Sequence, residues 1–212
     1  MSKILKKTLV VIVVAIFAAL TYFGLAKTVT ASAEVLYNEN SVNAPQAYSE
    51  ENSDLGFTLV DGVEYKVRAV NKSLSTAIIP AEYNGLPVTE IAGNGFMSCK
   101  SLTSIYIPKT VKTIGSNAFY NCTAMTRVYG ASNLESISSN AFYNCTSLKY
   151  FSVPSTIQTM GNTVFRNVPY DIYVRMSEEE LQSKSGISST WANSRKGEII
   201  YGTDSLISYL KK

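Results

Sequence analysis

The sequence predicts a solenoid of stacked coils, and three observations predict it. Phe96, Phe119, Phe142 and Phe165 recur every 23 residues. Cys99, Cys122 and Cys145 keep the same interval, with Val168 in the fourth place. Aliphatic columns run alongside: Val88, Val111, Leu134 and Ile157, then Ile91, Ile114, Ile137 and Met160. A fixed period of this length means that each unit buries its apolar side chains against the next coil rather than around one central pocket. The functional question therefore moves from catalysis to surface recognition.

Residues 102–125 show how one coil is built. Leu102, Ile105 and Ile107 alternate as a short strand with one face inward. Pro108 has no N–H and ends that strand. Val111 and Ile114 turn inward, and Gly115 permits a close corner. Ser116-Asn117 are turn formers suited to capping a short helical turn. Ala118-Phe119 re-enter the core and Cys122 closes the coil. In the next coil Gly130-Ala131 replace the Ile-Pro of 107–108 and the Val-Pro of 153–154, so a local irregularity and weaker protection are expected there.

The first quarter of the chain is different. Lys3, Lys6 and Lys7 precede an apolar run from Leu9 to Leu20, and Ala31-Ser32-Ala33 offers a small-residue cleavage site. Residues 1–33 read as a signal peptide that leaves Glu34 first. The alternative is an uncleaved anchor: the 18 mostly apolar residues from Leu9 to Ala26 would reach ~27 Å as a helix. Four of the 19 basic residues and none of the 16 acidic ones lie in 1–33, so the remainder has 15 basic and 16 acidic residues and a net charge of −1. The positive balance of the whole chain thus belongs to the signal, and no basic stripe points to nucleic acid. Residues 34–55, with Glu34, Glu39, Glu50, Glu51 and Asp54 and no basic residue, read as a flexible acidic linker. The three cysteines share one column, where neighbouring Cβ atoms lie ~4.8 Å apart and a disulfide wants ~3.8 Å, so buried free thiols are expected. No metal site is expected, because the chain has no His and no Cys-x-x-Cys pair.

The segment LTSIYIPKTVKTIGSNAFYNCTAM resembles the repeat of the BspA-like family of bacterial leucine-rich repeat proteins, and SLKYFSVPSTIQTMGNTVF is a looser match. AIIPAEYNGLPVTEIAGNGF is similar to that family's opening coil, with five extra residues around Tyr83-Asn84-Gly85 expected as a surface loop. FTLVDGVEYKV looks like the family's N-terminal hairpin cap, with Asp61-Gly62 as its turn. The resemblance covers about residues 56–176. It implies a right-handed leucine-rich repeat solenoid of about five coils, mainly β, with a parallel sheet on one face and short helical or 3-10 turns elsewhere. It also implies an exported surface or secreted protein of adhesive or protein-binding type, and supplies no catalytic residue. At the far end Ile172-Tyr173-Val174 reads as a last strand. Residues 177–212 then read as a cap, with Ser177 opening a short helix ahead of Leu181 and Trp191, Ile199, Ile200 and Tyr201 covering the stack.

Outward strand positions are the candidate binding face: Ser104 and Tyr106, Arg127 and Tyr129, Tyr150 and Ser152, then Asp171 and Tyr173. Tyrosine supplies large contact area at low entropic cost and a polar tip. The competing reading is sheet stabilisation by cross-strand aromatics. Three function classes compare as follows. A binding module would engage a protein or glycan on a cell or host surface. An envelope component would keep residues 1–26 in the membrane and tether the solenoid outside. An enzyme is not expected: without His, a nucleophile elbow or a phosphate loop, only scattered carboxylates remain for acid–base work, and no cofactor is implied.

Overall fold

The computed structural model describes residues 54–202. The signal or anchor at 1–33, residues 34–53 of the acidic segment and residues 203–212 lie outside the described residues. The described chain opens with an antiparallel hairpin, β1 (Leu55–Val60) on β2 (Glu64–Ala69), paired from Leu55↔Ala69 to Val60↔Glu64. Asp61 and Gly62 both take positive φ at its turn, 49° and 76°. Leu55, the last residue of the segment read as linker, is buried and starts β1.

Two parallel ladders then climb the stack. The first joins β2, β5 (Leu86–Ile91), β7 (Thr113–Ile114), β9 (Ser136–Ile137), β11 (Thr159–Met160) and β13 (Gly186–Ile187) in that order. The second joins β3 (Thr76–Ile78), β6 (Ser104–Ile107) and β8 (Arg127–Gly130). It resumes as β10 (Ser152–Val153), β12 (Ile172–Val174) and β14 (Ile199–Tyr201). Between the two halves of the second ladder stands an isolated Arg127–Tyr150 bridge. The parallel pairing expected on one face therefore occurs on two. The Ile91, Ile114, Ile137 and Met160 column lies in the first ladder, where its members are buried.

The irregularity expected at Gly130-Ala131 takes the form of two consecutive left-handed residues, φ 74° and 56°. It does not shorten β8, which spans four residues. The short strand is the following one, β10, with two.

Up to residue 176 the corners between the ladders are turns, not helical or 3-10 segments. Their asparagines act differently from the expected helix caps. Asn94, Asn117, Asn140 and Thr163 take positive φ, as do Ser98, Asn121, Asn144 and Asn167 four residues later. Asn adopts the left-handed region at least steric cost after Gly, so each coil makes two sharp bends with side chains retained. Backbone N–H groups at these bends reach across to the next coil, as in Asn117 N to Ser139 O at 3.0 Å and Phe119 N to Ala141 O at 2.8 Å. Gly115 sits at a close approach between coils: a Cβ there would be 2.5 Å from Gly93 N.

The core is a stack of columns. The Phe96, Phe119, Phe142 and Phe165 rings lie parallel with centroids 5.4, 5.1 and 5.4 Å apart. All four are fully buried, each worth ~1.5–3 kcal/mol of hydrophobic stabilisation. The cysteines are free and buried. Cys122 Sγ donates to the Phe96 carbonyl at 3.0 Å and Cys145 Sγ to that of Phe119 at 3.1 Å. Burial pushes the Cys122 thiol up to about 12 and that of Cys145 well above its ordinary value, so they stay protonated and inert.

Both ends depart from expectation. The five extra residues near Tyr83 do not form an open loop: β4 (Glu82–Tyr83) pairs antiparallel with β5. Asn84 and Gly85, at φ 49° and 76°, make its tight turn, because this dipeptide tolerates two successive left-handed residues. Tyr83 stacks on Phe57 at 4.1 Å. At the other end Ser177 caps the expected helix α1 (Glu178–Ser183), its hydroxyl accepting from Glu180 N. Beyond α1 the chain re-enters the solenoid. β13 and β14 extend both ladders, giving about six turns rather than five. Trp191 meets Phe165 in a T-shaped contact with ring centroids 6.0 Å apart, closing the phenylalanine column as a cap residue should.

Candidate recognition face

The second ladder fixes the outward residues in rows. Thr76, Ser104 and Arg127 are successive partners, and the isolated bridge adds Tyr150 to them. Ile78, Tyr106 and Tyr129 form the neighbouring row, and Ser152, Tyr173 and Ile200 continue it in the second half of the ladder. Their side chains alternate with buried Ala77, Ile105, Val153 and Val174, because successive strand residues point to opposite faces. Ser104, Tyr106, Arg127, Tyr129, Tyr150, Ser152 and Tyr173 thus lie together on one side of the solenoid. All are half-buried.

Charge on this face is organised by the tyrosines. The Arg127 guanidinium lies 4.2 Å from the centre of the Tyr150 ring, and its Nη1 donates to Tyr129 Oη at 3.3 Å. Two cations from outside the strands join them. Lys149 Nζ stands over the Tyr170 ring at 5.2 Å, and Arg175 Nε donates to Ser152 Oγ at 3.1 Å. Lys149 precedes β10 and falls outside its in–out register, whereas Arg175 follows β12 and continues its alternation between buried Val174 and Met176. Burial, with Asp171 and Tyr150 as lesser influences, holds the Tyr173 hydroxyl above its ordinary value, so it remains a neutral donor.

The turn-bearing side carries a second array. Tyr120 and Tyr143 stack at 4.8 Å, Arg166 covers Tyr143 at 5.4 Å, and Asn144 Nδ2 donates to Asn121 Oδ1 at 2.7 Å. These residues form a coil-to-coil ladder in which ring faces cover one another. No group of three His, Cys, Asp or Glu side chains suited to a metal converges among the described residues.

Counting eight residues from the first-ladder Ile or Met leads from Ile114 to Cys122, from Ile137 to Cys145, from Met160 to Val168 and from Ile187 to Arg195. The last coil therefore puts a cation in the thiol column. Its Nη1 is buried without a hydrogen-bond partner among the described residues, and desolvation lowers its pKa against the pull of Asp171, Tyr201 and Glu198.

With the geometry in place, the relatives can be compared. Residues 71–183 match the BspA type leucine rich repeat region in six copies. The chain belongs to this family. Its fold is similar to that of a leucine rich repeat protein of T. pallidum, at 26% identity and TM-score 0.53, with 70% of this chain and 63% of that one covered. A leucine-rich repeat protein from Bacteroides capillosus gives 26% identity and TM-score 0.51 over 57% of this chain and 94% of that one. One from Bacteroides ovatus, at 20% identity and TM-score 0.53 over 69% and 40%, shares the fold. The chain thus spans less than two thirds of the T. pallidum protein. No curated protein sequence matches it. Among the described residues no helix is long and apolar enough to cross a membrane.

Proposed function

We propose that the chain is an exported leucine-rich repeat binding module that engages a protein or glycan at the bacterial cell surface. One observation carries this reading: Tyr106, Tyr129, Tyr150 and Tyr173 share one face with Arg127, Ser104 and Ser152, in register across successive coils. Tyrosine and arginine dominate the energetics of recognition surfaces, because they combine apolar area with directed hydrogen bonds at modest entropic cost. Membership of a repeat family whose scaffold typically serves binding supports the same class. Export rests on the signal read at residues 1–33.

The test is a binding screen of the chain beginning at Glu34 against extracellular proteins and glycans, beside a Tyr106→Ala/Tyr129→Ala/Tyr150→Ala/Tyr173→Ala variant checked for folding by circular dichroism. A ligand held by the wild type and weakened about tenfold or more in the folded variant supports the face. Undiminished binding by that variant moves the site elsewhere. The apolar stretch Leu9–Ala26 favours a second reading, a membrane-anchored envelope component. N-terminal sequencing separates the two: Glu34 as first residue means release, and Met1 or Ser2 means anchorage.

A further inference from the structure

We propose that Asn84 is a site of spontaneous deamidation, and that its conversion to aspartate or isoaspartate loosens β4 from β5. It involves none of the residues of the tyrosine face. Asn-Gly occurs twice in the chain, at 84–85 and at 94–95. Glycine matters in the second place because a residue without Cβ leaves its backbone nitrogen approachable. That nitrogen is the nucleophile. Gly85 N gives its proton to hydroxide and bonds to Asn84 Cγ. The Cγ–Nδ2 bond breaks, and the departing nitrogen takes a proton from water and leaves as ammonia. Water then opens the resulting succinimide at either carbonyl, and no electron is gained or lost.

Asn84 and Asn94 are both exposed and both left-handed, with φ 49° and 57°, so neither property separates them. Their attacking nitrogens do. Gly95 is buried, and its N–H donates to Ala92 O at 2.9 Å. Its carbonyl accepts from Ala69 N at 3.0 Å and from Lys72 Nζ at 2.9 Å, and Asn94 N donates to Ser116 O in the next coil. Turning Gly95 N toward Asn94 Cγ therefore breaks a joint between coils. Gly85 is exposed, and its N–H donates to nothing among the described residues. A Cβ there would meet no atom within 4 Å. Ring closure needs the asparagine ψ to leave the left-handed turn. At Asn84 this opens only the end of a two-residue strand with one strand partner, an edge at the low end of local stability. The isoaspartyl product routes the chain through the side-chain carbon and lengthens the turn by a methylene. A tight turn of this kind sets the register of its hairpin, so the Tyr83↔Leu86 pairing is lost. Both products add a negative charge to a strand end that already carries Glu82.

The experiment stores the full chain at mildly alkaline pH, in buffer alone and in concentrated urea. One tryptic peptide, residues 73–100, holds both sites, and its fragment masses assign the exchange of amide for carboxyl to one or the other. In buffer Asn84 should convert at least about tenfold faster than Asn94, whereas in urea the two rates should agree within about twofold. Equal rates in buffer, faster conversion of Asn94, or an Asn84 that stays intact while the urea-treated chain converts overturns the inference. A preference for Asn84 that persists undiminished in urea also overturns it, because flanking sequence and not the fold would be the cause. Val88 N–H, which donates to Ala81 O at 2.9 Å, reports on β4. Its hydrogen exchange should quicken at least about threefold in the stored chain. Stored Asn84→Gln, which would have to close a larger ring, should exchange as fresh protein does. Unchanged exchange in the stored wild type, or equal quickening in Asn84→Gln, keeps the modification and overturns the loosening of β4.

Discussion

On the turn-bearing side, Asn-Ala-Phe-Tyr-Asn-Cys at 117–122 is repeated unchanged at 140–145. On the tyrosine-bearing side, Ile105-Tyr106-Ile107 is followed by Val128-Tyr129-Gly130 and then by Phe151-Ser152-Val153. The two regions face different constraints. At each turn the backbone bends twice through the left-handed region, donates to the next coil and places a phenylalanine between two others. Every position there is fixed by neighbours above and below. Outward strand positions are half-buried and lie off the buried columns, so their chemistry varies at little cost to the core. The ladder itself tolerates a break between β8 and β10. Repetition marks what holds the solenoid together, and variation within the repeat marks where it can discriminate among partners.

The sharpest way to break this comparison is to truncate one aromatic on each side. Phe119→Ala, in the middle of the ring stack, should lower the unfolding free energy by about 3–5 kcal/mol. Tyr129→Ala should cost less than about 1 kcal/mol. Urea denaturation of both variants measures the difference, and equal losses would erase the distinction between the two sides. A smaller effect probes the break in the strand side. Gly130→Ala places a Cβ at φ 74° against the Ile107 carbonyl oxygen and should cost about 1–3 kcal/mol. Gly62→Ala is equally left-handed but meets no atom within 4 Å, so it should cost only about 1 kcal/mol. Matching denaturation midpoints would show that the close approach at Gly130 is unimportant.

The smallest effect concerns pH. Burial raises the folded-state pKa of the Cys99, Cys122 and Cys145 thiols above their ordinary value of 9.0. Their contribution is therefore fully present below about pH 9 and declines as pH rises toward about 12, because only the unfolded chain ionises readily in that window. The thermal midpoint should fall between roughly pH 8.5 and 10, and the fall should be shallower in Cys122→Ala/Cys145→Ala. Identical pH slopes in the two proteins would assign the alkaline loss to other groups.

Much of the turn side was legible in the sequence, because a phenylalanine, a cysteine and an isoleucine recurring at one interval can satisfy burial only by stacking. The Asp61-Gly62 hairpin and the Ser177 cap were legible for local reasons, each being a short motif with its own stereochemistry. The first ladder was missed because strands of two residues, such as Thr113–Ile114, show no alternation. The sixth turn was missed because α1 interrupts the period: Thr159 pairs with Gly186, 27 residues on, where Thr113 pairs with Ser136 after 23. The asparagines were misjudged as caps, since the residues that favour helix N-termini also tolerate the left-handed region. For the candidate face, the rows of Tyr106, Tyr129 and Tyr173 followed from alternation alone. Lys149 did not, because it flanks β10 out of register; Arg175 has the outward parity of Tyr173 but lies one residue past the expected last strand.

The unchanged hexapeptide at 117–122 and 140–145 also bears on how such a chain changes length. Its backbone N–H groups alternate between its own coil and the next one, so the junction between two coils is the same kind of junction throughout the middle of the array. An in-frame duplication of residues 117–139 would thus insert one whole coil whose upper and lower surfaces already fit. It would lengthen the tyrosine side by ~4.8 Å and leave both ends as they are. Recombination between near-identical segments makes the reach of the protein a quantity that can be adjusted in fixed steps, independently of what its surface recognises.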